Sequence, residues 1–142
     1  MGYEWIVYAL LSAITAGLVA VFGKMGLESV DSNTATFIRA IIMVLFLFVV
    51  VLIQGKLSGV GNIVKDFSVF KFIIISGVAG ALSWLFYFFA LNSGKVSQVV
   101  PIDRLSIVFA LIFSFLFLRE TIDLKTIVGT VVMLIGSLVI IL

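Results

Sequence analysis

The chain has no cysteine, no histidine, one proline and little charge, nine Lys plus Arg and seven Asp plus Glu in 142 residues. Without cysteine there is no disulfide, no thiolate metal ligand and no thiol nucleophile. Without histidine the commonest zinc ligand and the usual neutral-pH proton shuttle are missing as well. The serines have no visible base, and no paired carboxylates lie deep in the apolar runs, so no catalytic group, no metal site, no cofactor and no enzymatic activity are expected. A pI near 9.1 comes from a formal charge of +2 scattered singly along the chain, which makes no basic face and excludes nucleic acid as a partner.

What is present instead is apolar surface. Apolar residues make up 63% of the chain, above the roughly 45–50% of soluble domains, and the mean hydropathy is +1.39. A bilayer core takes about 20 apolar residues per helix. Reading between charges gives five spans: Trp5 to about Phe22, about Thr34 to Ile53, Phe72 to about Leu91, about Val99 to Leu118, and about Thr126 to Leu142. The expected fold is therefore all-α and integral to the membrane, one domain over residues 1–142. Glu4, in place of a basic start, and the lack of a small-residue cleavage site before Lys24 argue against a signal peptide. The connection Gln54 to Phe70 carries Ile63, Val64, Phe67 and Phe70 at helical spacing beside Lys65, Asp66 and Lys71. That pattern fits either a short amphipathic piece in the interface or a lysine-studded loop.

Five spans put the termini on opposite sides of the membrane. Lys56, Lys65, Lys71, Arg119 and Lys125 fall on the N-terminal side, against Lys24 and Lys95, joined by Arg39 and Arg104 if the first turns of their spans count. The first tally places the N-terminus in the cytoplasm, and the second leaves orientation weakly specified. Two copies of an odd-span unit joined in tandem would be mutually inverted, a recurring transporter architecture, and a single copy could pair antiparallel to the same end.

The stretch Gly94-Lys95-Val96-Ser97-Gln98-Val99-Val100-Pro101-Ile102-Asp103-Arg104-Leu105-Ser106 brings polar residues and the only proline to the start of the fourth span. Pro101 marks either the start of regular helix or a break in it, with free amides near a cavity. Asp103, Ser106, Ala110 and Ser114 share one face of a helix. Arg39 starts at a similar depth on the same side, so an Arg39–Asp103 contact is expected. Asp103 then serves as a proton or cation site, with Arg39 or Arg104 setting its protonation or holding an anionic substrate. The structural alternative makes Asp103 a helix-end carboxylate and both arginines snorkelling cations.

In the third span Ser76, Gly80, Ser83 and Tyr87 form a stripe flanked by Trp84 and Phe88. Trp84 sits near the middle of the span, away from an interfacial belt, so it belongs to an internal surface that could hold apolar or cationic substrates. The small residues Ser12, Ala13, Ala16, Gly17, Ala20, Gly77, Ala81, Gly129 and Gly136 read as helix-packing positions, with Gly129 and Gly136 on a face that fits either an internal contact or a dimer seam. Glu120 and Asp123 precede the fifth helix, where carboxylates suit the positive end of its dipole, and Lys24 and Glu28 are spaced to pair.

Taken together, Phe22-Gly23-Lys24-Met25-Gly26-Leu27, Asn33 to Arg39, Trp84-Leu85-Phe86-Tyr87-Phe88-Phe89-Ala90-Leu91, Val100-Pro101-Ile102-Asp103-Arg104-Leu105-Ser106 and Phe115-Leu116-Phe117-Leu118-Arg119-Glu120 resemble the drug/metabolite transporter superfamily. The likeness covers nearly the whole chain and is to the EamA-type branch with a single five-span repeat. Arg119 departs from it, standing where a small residue, often glycine, commonly precedes the glutamate. The resemblance implies half of a ten-helix inverted-repeat transporter, with the other half supplied by a second copy or a second five-span protein. The expected function is an inner-membrane permease or exporter subunit that moves a small metabolite or amphipathic organic compound by alternating access. A lipid-linked-substrate flippase subunit and a non-transporting scaffold are the alternatives. The expected pathway residues are Arg39, Ser83, Trp84, Tyr87, Asp103, Arg104 and Ser106.

Overall fold

A computed structural model describes residues 3–27 and 29–141. Its helices are α1 (Glu4–Gly26), α2 (Ser32–Ile53), α3 (Leu57–Lys65), α4 (Phe67–Ser93), α5 (Val96–Asp103), α6 (Ser106–Phe113), a π-helical turn (Ser114–Leu118) and α7 (Leu124–Ile141). With α5, α6 and the π turn taken together, five segments are long and apolar enough to cross a membrane. Most large apolar side chains are exposed on the isolated chain, as a lipid solvent requires and water would forbid. The protein is all-α and multi-pass.

The termini of these helices are set by short polar side chains. Asp31 accepts from the Thr34 backbone N–H at 2.9 Å and from the Thr34 hydroxyl at 3.1 Å, which starts α2. Those two bonds, the backbone one foremost, hold its carboxyl below the usual Asp range. Asp123 does the same for α7, accepting the hydroxyl of Thr126 and, at 3.0 Å, its backbone N–H, and its pKa is lowered for that reason. Asp66 accepts from the N–H groups of Ser68 and Val69 at 3.0 and 3.3 Å. This third cap explains a difference from the sequence reading. The amphipathic piece ends at Lys65, and Phe67 and Phe70 belong to α4, which starts a turn before Phe72 and runs for 27 residues. At 1.5 Å per residue α4 is roughly 40 Å long, longer than the apolar layer.

The chain resolves into two compact units. One comprises residues 1–22 and 93–142, the other Gly23–Asn92. In the first, α5 packs on α7, and Ala20 and Val99 are buried. Here the fourth span is broken, one of the two readings of Pro101 from sequence. Regular helix begins at Val96, five residues before Pro101, and breaks beyond the proline. Leu105, Ile107 and Val108 donate to the carbonyls three residues back, Ile102, Arg104 and Leu105, at 2.9, 3.1 and 3.0 Å, a 3₁₀ tightening that separates α5 from α6. Asp103 and Ser106 therefore flank a break and do not share an uninterrupted α-helical face with Ala110 and Ser114.

Ser114 is committed elsewhere. Its hydroxyl donates to Glu120, and its carbonyl accepts the Arg119 and Glu120 N–H groups, closing the π turn. Glu120 thus fastens the end of the fourth span and leaves the start of α7 to Asp123. Arg119 reverses the chain at φ 54°, ψ 31°, the left-handed region. A side chain with a Cβ pays about 1–2 kcal/mol there, and glycine returns part of that advantage as unfolded-state entropy. Arg119→Gly is expected to raise the unfolding free energy by about 0.5–1 kcal/mol. Arg119→Ala, which removes the charge and keeps the strain, should show no gain in the same SDS unfolding titration.

In the second unit, Phe88 and Leu27 are 3% exposed and Leu91 is fully buried. Lys24, in the last turn of α1, donates to the carbonyl oxygens of Leu91 at 2.6 Å and Asn92 at 3.4 Å, capping the C-terminal end of α4. Glu28, considered as its partner from spacing, lies outside the described residues.

Candidate functional site

Once Asp31 fixes where α2 begins, helical spacing places Asn33, Thr36, Ala40, Met43 and Leu47 on one side of it. Across from this side, α4 offers Gly77, Gly80, Ala81 and Trp84. The two faces border an open cavity of about 630 Å³ with mostly apolar walls. The small residues create this space. A Cβ added at Gly77 or Gly80 would meet nothing within 4 Å, so Gly77, expected to pack helices together, instead lines open space, and Ala81 lines it beside Gly77.

Arg39 lines the same cavity, seven residues beyond Ser32 and so roughly 10 Å into the helix. A cation at that depth needs a partner. The described carboxylates of its unit are occupied at helix termini, Asp31 on Thr34 and Asp66 on Ser68 and Val69. Arg39 rests instead on aromatic rings: its guanidinium carbon is 3.5 Å from the centroid of Trp84 and 5.1 Å from that of Phe88. Such contacts are worth about 2 kcal/mol or more when desolvated.

The rings are themselves held in place. Trp84 meets Tyr87 edge-on, with centroids 5.7 Å apart at 85°, and leans on Phe88 at 6.0 Å and 34°. Tyr87 and Phe88 are also edge-to-face, at 6.1 Å and 84°. Phe88 is seated against Gly23, where a Cβ would fall 2.9 Å from its ring carbon Cε1. A chain of contacts thus runs from a bare backbone at Gly23 through Phe88 to Trp84, and from Trp84 to the guanidinium.

Of the residues singled out from sequence, the structure brings Arg39, Trp84 and Tyr87 together. Ser83 is exposed and does not line the cavity. Asp103, Arg104 and Ser106 belong to the other unit, at the break between α5 and α6, where Arg104 lines a narrow cleft with Thr130 and Ser137. Arg39 and Asp103 fall in different units. Sequence reasoning missed Asn33, Thr36 and Met43. The available signal was their three-to-four spacing around Arg39, matched on α4 by small residues one and two turns before Trp84.

Residues 4–142 match the EamA-like transporter family. A Sinorhizobium protein named as an uncharacterized transporter in the cobO 3′ region is 37% identical over 138 residues, which cover 97% of this chain and 96% of that protein. An uncharacterized protein of Methanocaldococcus jannaschii is 30% identical over 131 residues, covering 92% of this chain and 91% of its own length. No solved structure matches the chain.

Proposed function

We propose, for a chain that belongs to the EamA-like transporter family, that it is a permease or exporter subunit of the inner membrane. It moves a small metabolite or amphipathic organic compound by alternating access. The observation that carries this reading is the cavity of about 630 Å³ between α2 and α4, of a size for a small organic molecule and with a single cation in its apolar wall. Asp103, beside the break in the fourth span, is the titratable group proposed to couple protons or another cation to transport.

One five-span repeat supplies half of an inverted-repeat pathway. The two relatives are matched over 96% and 91% of their own lengths by this one repeat, which supports assembly from separate copies. The working form is therefore a dimer, and an antiparallel one, since two copies of an odd-span chain are inverted only if they insert in opposite senses.

Asn62 is exposed on α3, between the second and third spans, and the sequence has no native cysteine to compete for label. In the Asn62→Cys variant, a membrane-impermeant maleimide is expected to label a substantial fraction of the molecules in intact cells and the rest only after the membrane is opened. Complete protection in intact cells, or complete labelling, would exclude the antiparallel dimer of identical chains.

A further inference from the structure

An aromatic face in a membrane cavity ordinarily favours cations, because the ring quadrupole is negative there. In this cavity that face is taken: the guanidinium of Arg39 lies 3.5 Å from the Trp84 centroid. An incoming ammonium would have to displace a tethered cation and meet its charge. Stacking also uses the flat face of the guanidinium and leaves its in-plane N–H donors, a fork matched to carboxylate geometry. Within its unit, no described residue accepts a hydrogen bond from Arg39. Unused charge-assisted donors therefore stand at the edge of a cavity whose other walls, Met43, Val44, Leu47 and Val78, are apolar. Thr36 and Asn33 line it about one and two turns before Arg39, toward the start of α2.

We infer that this cavity is a binding site for amphipathic organic anions, with a carboxylate or similar head on the Arg39 fork and an apolar body along α2 and α4. Trp84 and Phe88 are positioning residues that hold the guanidinium. Of the roles open to Arg39 from sequence, setting the protonation of Asp103, holding an anionic substrate or snorkelling to the headgroups, this selects the holding of an anionic substrate. The inference rests on the transport reading for its biological meaning and on the Arg39–Trp84 stack for its chemistry.

The test uses three probes of one shape and different charge: 3-phenylpropionate, 3-phenylpropionamide and 3-phenylpropylammonium. Trp5 and Trp84 are the two tryptophans of the chain, so Trp5→Phe leaves Trp84 as the sole emitter. Saturable change in its emission, with the protein in nanodiscs, reports binding. The propionate is expected to bind at least tenfold more tightly than the ammonium, with the amide between them. Arg39→Gln should abolish that preference and uncover the Trp84 face for the ammonium, while Arg39→Lys, which keeps the charge, should retain the anion preference in weakened form. Equal or tighter binding of the ammonium to the parent protein would overturn the inference, as would no saturable binding of any probe. So would an unchanged preference in Arg39→Gln. If Arg39→Gln does not fold, the three-probe comparison and Arg39→Lys still decide. Flux of labelled propionate into proteoliposomes separates the two readings. Charge-selective binding without flux of any solute sinks the transport reading alone, and flux of solutes with no anion preference sinks this one alone.

Discussion

Lys24→Met is expected to lower the unfolding free energy by about 2 kcal/mol, and Lys24→Arg to restore at least half of the loss. The last carbonyls of any helix lack intrahelical donors. In α4 those of Leu91 and Asn92 are served by the Lys24 ammonium, at 2.6 and 3.4 Å. Leu91 has no exposed surface, so its carbonyl cannot turn to water without disturbing the packing around it. Removing the donor deletes a charge-assisted bond, leaves a buried acceptor unmet and takes a positive charge from the negative end of the helix dipole. Steric-trap unfolding of the purified protein in bicelles measures the difference. A loss below about 0.5 kcal/mol for Lys24→Met would put this lysine among the solvated charges of a membrane edge. Arginine keeps the charge tally across the membrane unchanged, so its rescue separates capping from any effect on insertion.

The cap on α4 also shows which features of the fold can be read from letters alone. Hydropathy between charges places all five spans, because a bilayer core demands about 20 apolar residues whatever their order. Boundaries follow from local polar chemistry. Asp31 and Asp123 precede apolar runs and cap them, while Asp66 sits inside a pattern that continues apolar on both sides, which hides the start of α4. The π turn and the left-handed Arg119 have no periodic signature. The resemblance bore on the second of them alone, since a small residue, often glycine, commonly stands where Arg119 reverses the chain.

Partners on different helices are harder still. Arg39 and Trp84 each stand out, one as a cation inside a span and the other as a tryptophan away from an interface. Helical spacing gives faces of single helices, so it could not join the two. The same limit made Gly77 look like a contact position, because a small residue permits close approach and open space alike. Only the position of the neighbouring helix tells which, and here a Cβ at Gly77 would meet nothing within 4 Å.

Gly23 is the opposite case, and the second large effect is expected there. Its ideal Cβ would lie 2.9 Å from Cε1 and 3.3 Å from Cζ of Phe88, and 3.7 Å from Cδ1 of Leu91. Phe88 is 3% exposed and Leu91 is fully buried, so neither has room to yield. Gly23→Val places two further methyl groups beyond a contact that is already too short, and overpacking of this kind costs about 3 kcal/mol. Gly26→Ala, one turn on in the same helix, meets nothing within 4 Å. It should be neutral or stabilise by up to about 1 kcal/mol through helix propensity. The contrast does not end at stability. Phe88 supports Trp84, and both rings carry the Arg39 guanidinium, so a displaced Phe88 loosens the cation in its cavity. Gly23→Ala, the milder change, should therefore fold, lose about 1–2 kcal/mol and shift the emission of Trp84 in the Trp5→Phe background, whereas Gly26→Ala should leave that emission unmoved. Trp84 emission identical to the parent in a measurably destabilised Gly23→Ala protein would break the proposed line of contacts between Phe88 and the site.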